Sequence, residues 1–200
     1  MSQLGSGQRS ALLAAARSAI ESAVRSQFHS PSDSLPKKST EMNDREGCEK
    51  SALQRLGASF VTITVDGMLR GCIGTLEARR PLAEDVAANA VAAAFEDSRF
   101  ASLTAEELGR MKIEVSVLSS SEVIEAGDRT ELLESLRPGV DGVVVESGSH
   151  RATFLPQVWR SLPEPDAFVR ELVKKAGLPP PAAPPETEFR RYTVESWSEA

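Results

Sequence analysis

The segment Leu69-Arg70-Gly71-Cys72-Ile73-Gly74 concentrates the residue types most able to do chemistry. Two glycines flank a cysteine, and glycine permits torsions and close approaches that a Cβ forbids. Arg70, a permanent cation two positions before Cys72, favours a nucleophilic thiolate there. The structural alternative is that Gly71 and Gly74 shape a β-bulge and Cys72 is a small buried hydrophobe. Free cysteines are among the most buried residue types, and the residues by themselves lean that way. The glycine spacing is not that of a phosphate-binding loop.

A second unusual placement is Glu96-Asp97-Ser98-Arg99-Phe100. It puts two carboxylates at the C-terminal end of an Ala-rich helix, where the helix dipole disfavours negative charge by roughly 0.3–1 kcal/mol. Arg99 offsets this as a local ion partner. In the functional alternative, Asp97 and Arg99 face a cleft and hold a polar ligand or each other.

These segments need elements to position them. Residues from about Gln8 to Gln27 read as an amphipathic helix, with Leu13, Ala16, Ile20 and Val24 on one stripe and Glu21 placed to pair with Arg25. Residues 29–50 turn polar and read as a loop. Phe60 to Val65 alternates, with Val61, Ile63 and Val65 inward, and Asp66-Gly67 is a hairpin signal that returns the chain through Leu69 to Thr75.

Pro81 opens a helix that runs to about Phe95, with Glu84 and Asp85 at its positive end. Thr104 and Glu107 have capping-box spacing. Lys112 to Leu118 is a strand with Ile113, Val115 and Val117 inward. Asp128 and Glu131 begin a short helix that Pro138-Gly139 stops. Val143–Val145 and Ala152–Leu155 read as strands, and Pro165 opens a helix ending at Lys174, Lys175 and Gly177. Residues 179–185 hold five prolines and read as an extended linker before a closing strand from Phe189 to Val194. Strands and helices intermix without a βαβ rhythm, so the expected class is α+β.

Composition narrows the function. An apolar share of 40% over 200 residues supports a sizeable core. A net charge of −6 and 5% aromatics argue against nucleic-acid binding. The cysteines Cys48 and Cys72 and the histidines His29 and His150 give no zinc-ligand cluster, so no metal and no cofactor are expected. The N-terminal apolar run is broken by Arg17 and Glu21, and no stretch approaches the roughly 20 apolar residues a membrane span needs. The expected compartment is the cytoplasm, with no membrane partner.

The Leu69–Gly74 motif, followed by Ala92-Ala93-Ala94-Phe95-Glu96-Asp97-Ser98-Arg99-Phe100, closely resembles the AMMECR domain family (in prokaryotes, the AmmeMemoRadiSam system protein A group). Glu114–Leu118, Pro138–Gly142, Phe154–Trp159 and Lys174–Leu178 continue the match, which covers about Ala11 to Trp197. The resemblance implies one AMMECR-type domain over about 8–197, a mixed α/β fold with a larger and a smaller subdomain, and the motif near the groove between them. It carries over Arg70, Gly71, Cys72, Gly74, Asp97, Arg99 and Phe100 as the matching positions, and gives His150 no role. Its bacterial members occur beside a Memo-like protein, similar to extradiol dioxygenases, and a radical SAM protein.

Two functions fit. In one the chain is a binding module whose site at Leu69–Gly74 takes a small ligand or a partner through Arg70, Gly71, Gly74, Asp97 and Arg99. In the other it is a thiol-dependent enzyme, or enzyme subunit, with Cys72 as nucleophile and Arg70 as electrostatic support. The enzyme reading lacks a base that the sequence places beside Cys72.

Overall fold

The computed structural model describes residues 4–28, 53–179 and 187–200. Among them, four helices and nine strands form an α+β fold with two sheets. They divide into two compact units, one comprising the chain up to Val117 with Glu195–Ala200 and the other Leu118–Val194. The segments 29–50 and 180–185, read above as loop and linker, lie outside the described residues.

The larger unit contains α1 (Ser6–Phe28), β1 (Leu56–Val65), β2 (Met68–Gly74), β3 (Arg80–Pro81), α2 (Leu82–Phe95), β4 (Met111–Leu118) and β9 (Val194–Ser198). Its sheet runs β2-β1-β4-β9, with the short β3 also pairing β1. The buried stripe of α1 is Leu12, Ala16, Ile20 and Val24, all i+4 apart. Leu12 rather than Leu13 therefore begins the seam. Val61, Ile63 and Val65 of β1 and Ile113, Val115 and Val117 of β4 face the core, as alternation demands.

Asp66 and Gly67 close the β1–β2 hairpin with φ of 52° and 79°. Positive φ at both central residues suits the right-handed twist of the flanking strands. The small side chains of α2, with Ala90, Ala93 and Ala94 buried, let this helix lie close against both α1 and the β1–β2 hairpin.

The smaller unit contains β5 (Glu122–Val123), α3 (Arg129–Ser135), β6 (Gly142–Ser147), β7 (His150–Phe154), α4 (Pro165–Lys175) and β8 (Glu188–Tyr192), with the antiparallel order β5-β8-β6-β7. Its core is built on Phe168, whose ring stacks on Trp159 at 3.8 Å. Asp128 caps α3 by accepting the Glu131 amide at 2.9 Å. At the end of α4, Gly177 takes φ 75° while the Leu178 amide bonds the Val173 carbonyl, the Schellman arrangement that ends helices at glycine.

One expected element divides. The closing strand read from Phe189 to Val194 is two strands, β8 and β9, in different sheets. The break falls at Thr193, whose amide donates to Ser119 Oγ while its carbonyl accepts the Ser119 amide. A continuous β-propensity run hides such a transfer because local preference is the same in both sheets.

Candidate functional site

The motif lies on β2, within the larger unit, and β2 pairs antiparallel with β1. Thr62 sits opposite Cys72 and Ile63 opposite Gly71, but Thr64 is opposite Leu69. Arg70 is therefore the extra residue of a β-bulge. Bulges bend a strand and re-aim a side chain, which separates Arg70 from Cys72 despite their i, i+2 spacing.

Arg70 turns to the loop after α2. Its Nε donates to Glu107 Oε1 at 2.7 Å, and its terminal nitrogens donate to Glu107 Oε2 and to the carbonyls of Ala101 and Ser102. Glu107 also receives the Thr104 amide at 2.8 Å and the Thr104 hydroxyl at 3.1 Å, completing the capping box read from the sequence. Arg70, foremost, with Thr104 behind it, holds the Glu107 carboxyl below its ordinary range. The guanidinium is thus fully engaged in fixing the 101–107 loop.

The two glycines supply space. A Cβ on Gly71 would stand 2.0 Å from the Ala93 carbonyl oxygen of α2, and one on Gly74 would stand 2.3 Å from the Phe60 ring. Neither has positive φ. The strand can lie against α2 only because Gly71 lacks a side chain, and against Phe60 of β1 only because Gly74 does.

Cys72 is a half-buried free thiol. Its Sγ accepts the Thr62 hydroxyl at 3.3 Å. Its amide donates to Asp97 Oδ2 at 2.9 Å, and its carbonyl accepts an Arg99 N–H at a longer 3.5 Å. Asp97, almost fully buried, pairs with Arg99 through both carboxylate oxygens, Nε at 2.9 Å and a terminal nitrogen at 2.6 Å. It also accepts the Arg99 amide at 3.2 Å, so the turn that follows α2 presents the pair. Arg99, and after it the Cys72 amide, hold the Asp97 carboxyl well below the usual carboxylate range. Arg99 lies over the Phe100 ring at 5.3 Å.

Arg99 is therefore the cation bonded to Cys72, through its backbone, and Arg70 is not. The structure brings Cys72, Asp97, Arg99 and Thr62 together, with Gly71 and Gly74 framing them. His150 lies in the smaller unit, its Nδ1 3.0 Å from the Ala176 carbonyl oxygen.

Sequence reading missed a polar cluster under the same hairpin. Asp85, fully buried, accepts the Ser59 hydroxyl at 2.7 Å, the Thr75 hydroxyl at 2.8 Å, Arg80 Nε at 2.9 Å and Asn89 Nδ2 at 2.9 Å. The available signal was Asp85 and Asn89 at i, i+4 beside Leu82, Val86 and Ala90 on the apolar stripe of α2. Among the described residues no group of three or more His, Cys, Asp or Glu side chains is arranged to hold a metal ion. No described helix is long and apolar enough to cross a membrane.

The fold and site define a two-unit α+β protein organised around a glycine-framed hairpin strand. The chain matches the AMMECR1 family over residues 13–197 and belongs to that family. A relative from Methanothermobacter thermautotrophicus is 38% identical over 152 residues, 73% of this chain and 77% of its own. A Methanocaldococcus jannaschii relative is 39% identical over 69% of this chain, which spans only 65% of that protein's length. An uncharacterised protein of Pyrococcus horikoshii, solved by crystallography, superposes with a TM-score of 0.71 at 31% identity, over 94% of this chain and 89% of that one.

Proposed function

We propose that this chain is a non-catalytic binding module of the AmmeMemoRadiSam system, its component A, and that Leu69–Gly74 is its site for a small ligand or a partner, the Memo-like or the radical SAM protein. One observation carries the choice of binding over catalysis. Among the described residues the only hydrogen-bond partner of Cys72 Sγ is the Thr62 hydroxyl. A thiol nucleophile is activated by a base or a cation at the sulfur, and among the described residues no charged group is hydrogen-bonded to the sulfur. Arg70 serves Glu107, and Asp97 and Arg99 serve each other and the Cys72 backbone.

A binding surface needs exposed groups on a rigid frame. Met68 and Leu69, at the start of β2, are exposed apolar side chains, 74% and 44% accessible, and Arg99 stands beside the same strand. The test is co-purification of the tagged full chain with the Memo-like and radical SAM proteins, repeated with Cys72→Ser and with Met68→Glu/Leu69→Glu. The expected result is that Cys72→Ser retains the partner and the double glutamate variant loses it. Alkylation of Cys72 against pH is run in parallel. A thiol that reacts as rapidly at pH 6 as at pH 9, with partner binding unaffected by either substitution, would replace this reading by the thiol-enzyme one.

A further inference from the structure

The bonding at Cys72 settles which way its backbone points. In an antiparallel pair, directly opposed residues alternate between those that exchange two backbone bonds and those that exchange none. Cys72 gives its amide to Asp97 and its carbonyl to Arg99, so Thr62–Cys72 is a pair without mutual backbone bonds. The Thr62 Oγ1–Cys72 Sγ contact at 3.3 Å agrees, because side chains come closest in such pairs. Both polar backbone groups of Cys72 therefore point away from β1. On that side no described strand pairs with β2, which ends the sheet.

An open edge offers unpaired N–H and C=O groups to any other strand, and proteins blunt such edges with charged side chains. Here a carboxylate stands where a neighbouring carbonyl would accept, and a guanidinium stands where a neighbouring N–H would donate. We infer that Asp97 and Arg99 act together as a side-chain cap that replaces a neighbouring strand on β2 and prevents this edge from pairing with a second copy of the chain. The second copy is the occupant kept out because Cys72 is self-complementary. One residue with an outward donor and an outward acceptor forms a two-bond antiparallel pair with its own equivalent across a two-fold axis. The exposed Met68 and Leu69 at the start of the same strand add apolar surface to that pairing. The inference goes beyond the binding reading and does not depend on it.

The test uses the full chain carrying Cys48→Ser, so that Cys72 is its only thiol. Amide exchange by NMR and sedimentation equilibrium are compared for this parent, Arg99→Gln and Asp97→Ala/Arg99→Ala. The expected result is slow exchange of the Cys72 amide in the parent and exchange at least about tenfold faster in the double variant at low concentration. At high concentration the double variant approaches twice the monomer mass, and a short bismaleimide links Cys72 to Cys72. Arg99→Gln, altered at a side chain 55% accessible to solvent, keeps the Asp97–Cys72 bond and dimerises less. Should the double variant fail to fold, Arg99→Gln decides alone. A folded double variant that remains monomeric at all concentrations with parental protection of the Cys72 amide overturns the inference, and so does an Arg99→Gln chain that remains monomeric at all concentrations.

Discussion

The Asp97 carboxylate accepts the Cys72 amide at 2.9 Å across 25 residues of chain, tying the turn after α2 to the strand that carries the motif. Arg99 completes the tie by bonding both oxygens of the same carboxylate. A carboxyl held below its ordinary range contributes stability that is fully present above its unfolded value, about 4, and is lost as pH falls through the lower folded value. Wild type and Asp97→Asn should therefore differ in denaturant midpoint by a constant amount from about pH 8 to about pH 5, with wild type the more stable. The gap should narrow below about pH 4. Urea melts across that range check this, and a gap that widens on acidification would contradict the assignment.

Arg70 and Glu107 are each less than one-fifth exposed, and their contact is two-pronged. Such charge-assisted bonds contribute about 2 kcal/mol. Arg70→Met should lower unfolding free energy by about that amount. Arg70→Lys should recover less than half, because an ammonium cannot reproduce the fork that also reaches the Ala101 and Ser102 carbonyls. A double-mutant cycle with Glu107→Gln measures the coupling, and additivity of the two losses would show that the pair contributes nothing jointly.

Much of this frame is legible in the sequence, for physical reasons that differ by residue. Asp66-Gly67, the Thr104–Glu107 capping box and the Asp128 cap are local rules, in which a side chain serves a backbone a few residues away. The alternation of Val61, Ile63 and Val65 is equally local. The roles of Arg70 and Arg99 are not. A single-residue bulge at Arg70 breaks the period-two expectation that placed its charge beside Cys72, and Arg99 takes the place beside Cys72 through a turn 27 residues on. Apart from its i, i+4 spacing with Asn89, Asp85 was readable only as a charge at a helix N-terminus, because its partners Ser59, on β1, and Thr75, just past the end of β2, come from segments whose packing the sequence does not show.

Glycine at 71 and glycine at 67 should respond differently to the same substitution. At Gly71 an added methyl meets the Ala93 carbonyl of α2 at 2.0 Å, so strand and helix must separate. At Gly67 nothing lies within 4 Å and only the φ of 79° opposes a side chain. Gly71→Ala should cost about 3 kcal/mol or more, and Gly67→Ala about 1 kcal/mol. Thermal melts of the two variants rank them directly. Equal losses would mean that β2 can move away from α2 freely.

Asp85 supports the hairpin from beneath, and its loss should be the most damaging single change in the larger unit. Four residues bond it, and Ser59 and Asn89 are themselves buried. Removing the carboxylate leaves buried donors with no acceptor, which costs more than the bonds contributed. Asp85→Ala should therefore destabilise by about 3–5 kcal/mol, the range for breaking a buried charged network. Asp85→Asn keeps the volume and one acceptor oxygen but brings two new donors among existing ones, so it should recover only a minor part. The Ser59→Ala/Asp85→Ala double variant should be less destabilised than the sum of its parts, because the orphaned hydroxyl is gone. Chemical denaturation of the three variants checks the ordering, and strict additivity would show that Ser59 and Asp85 contribute independently.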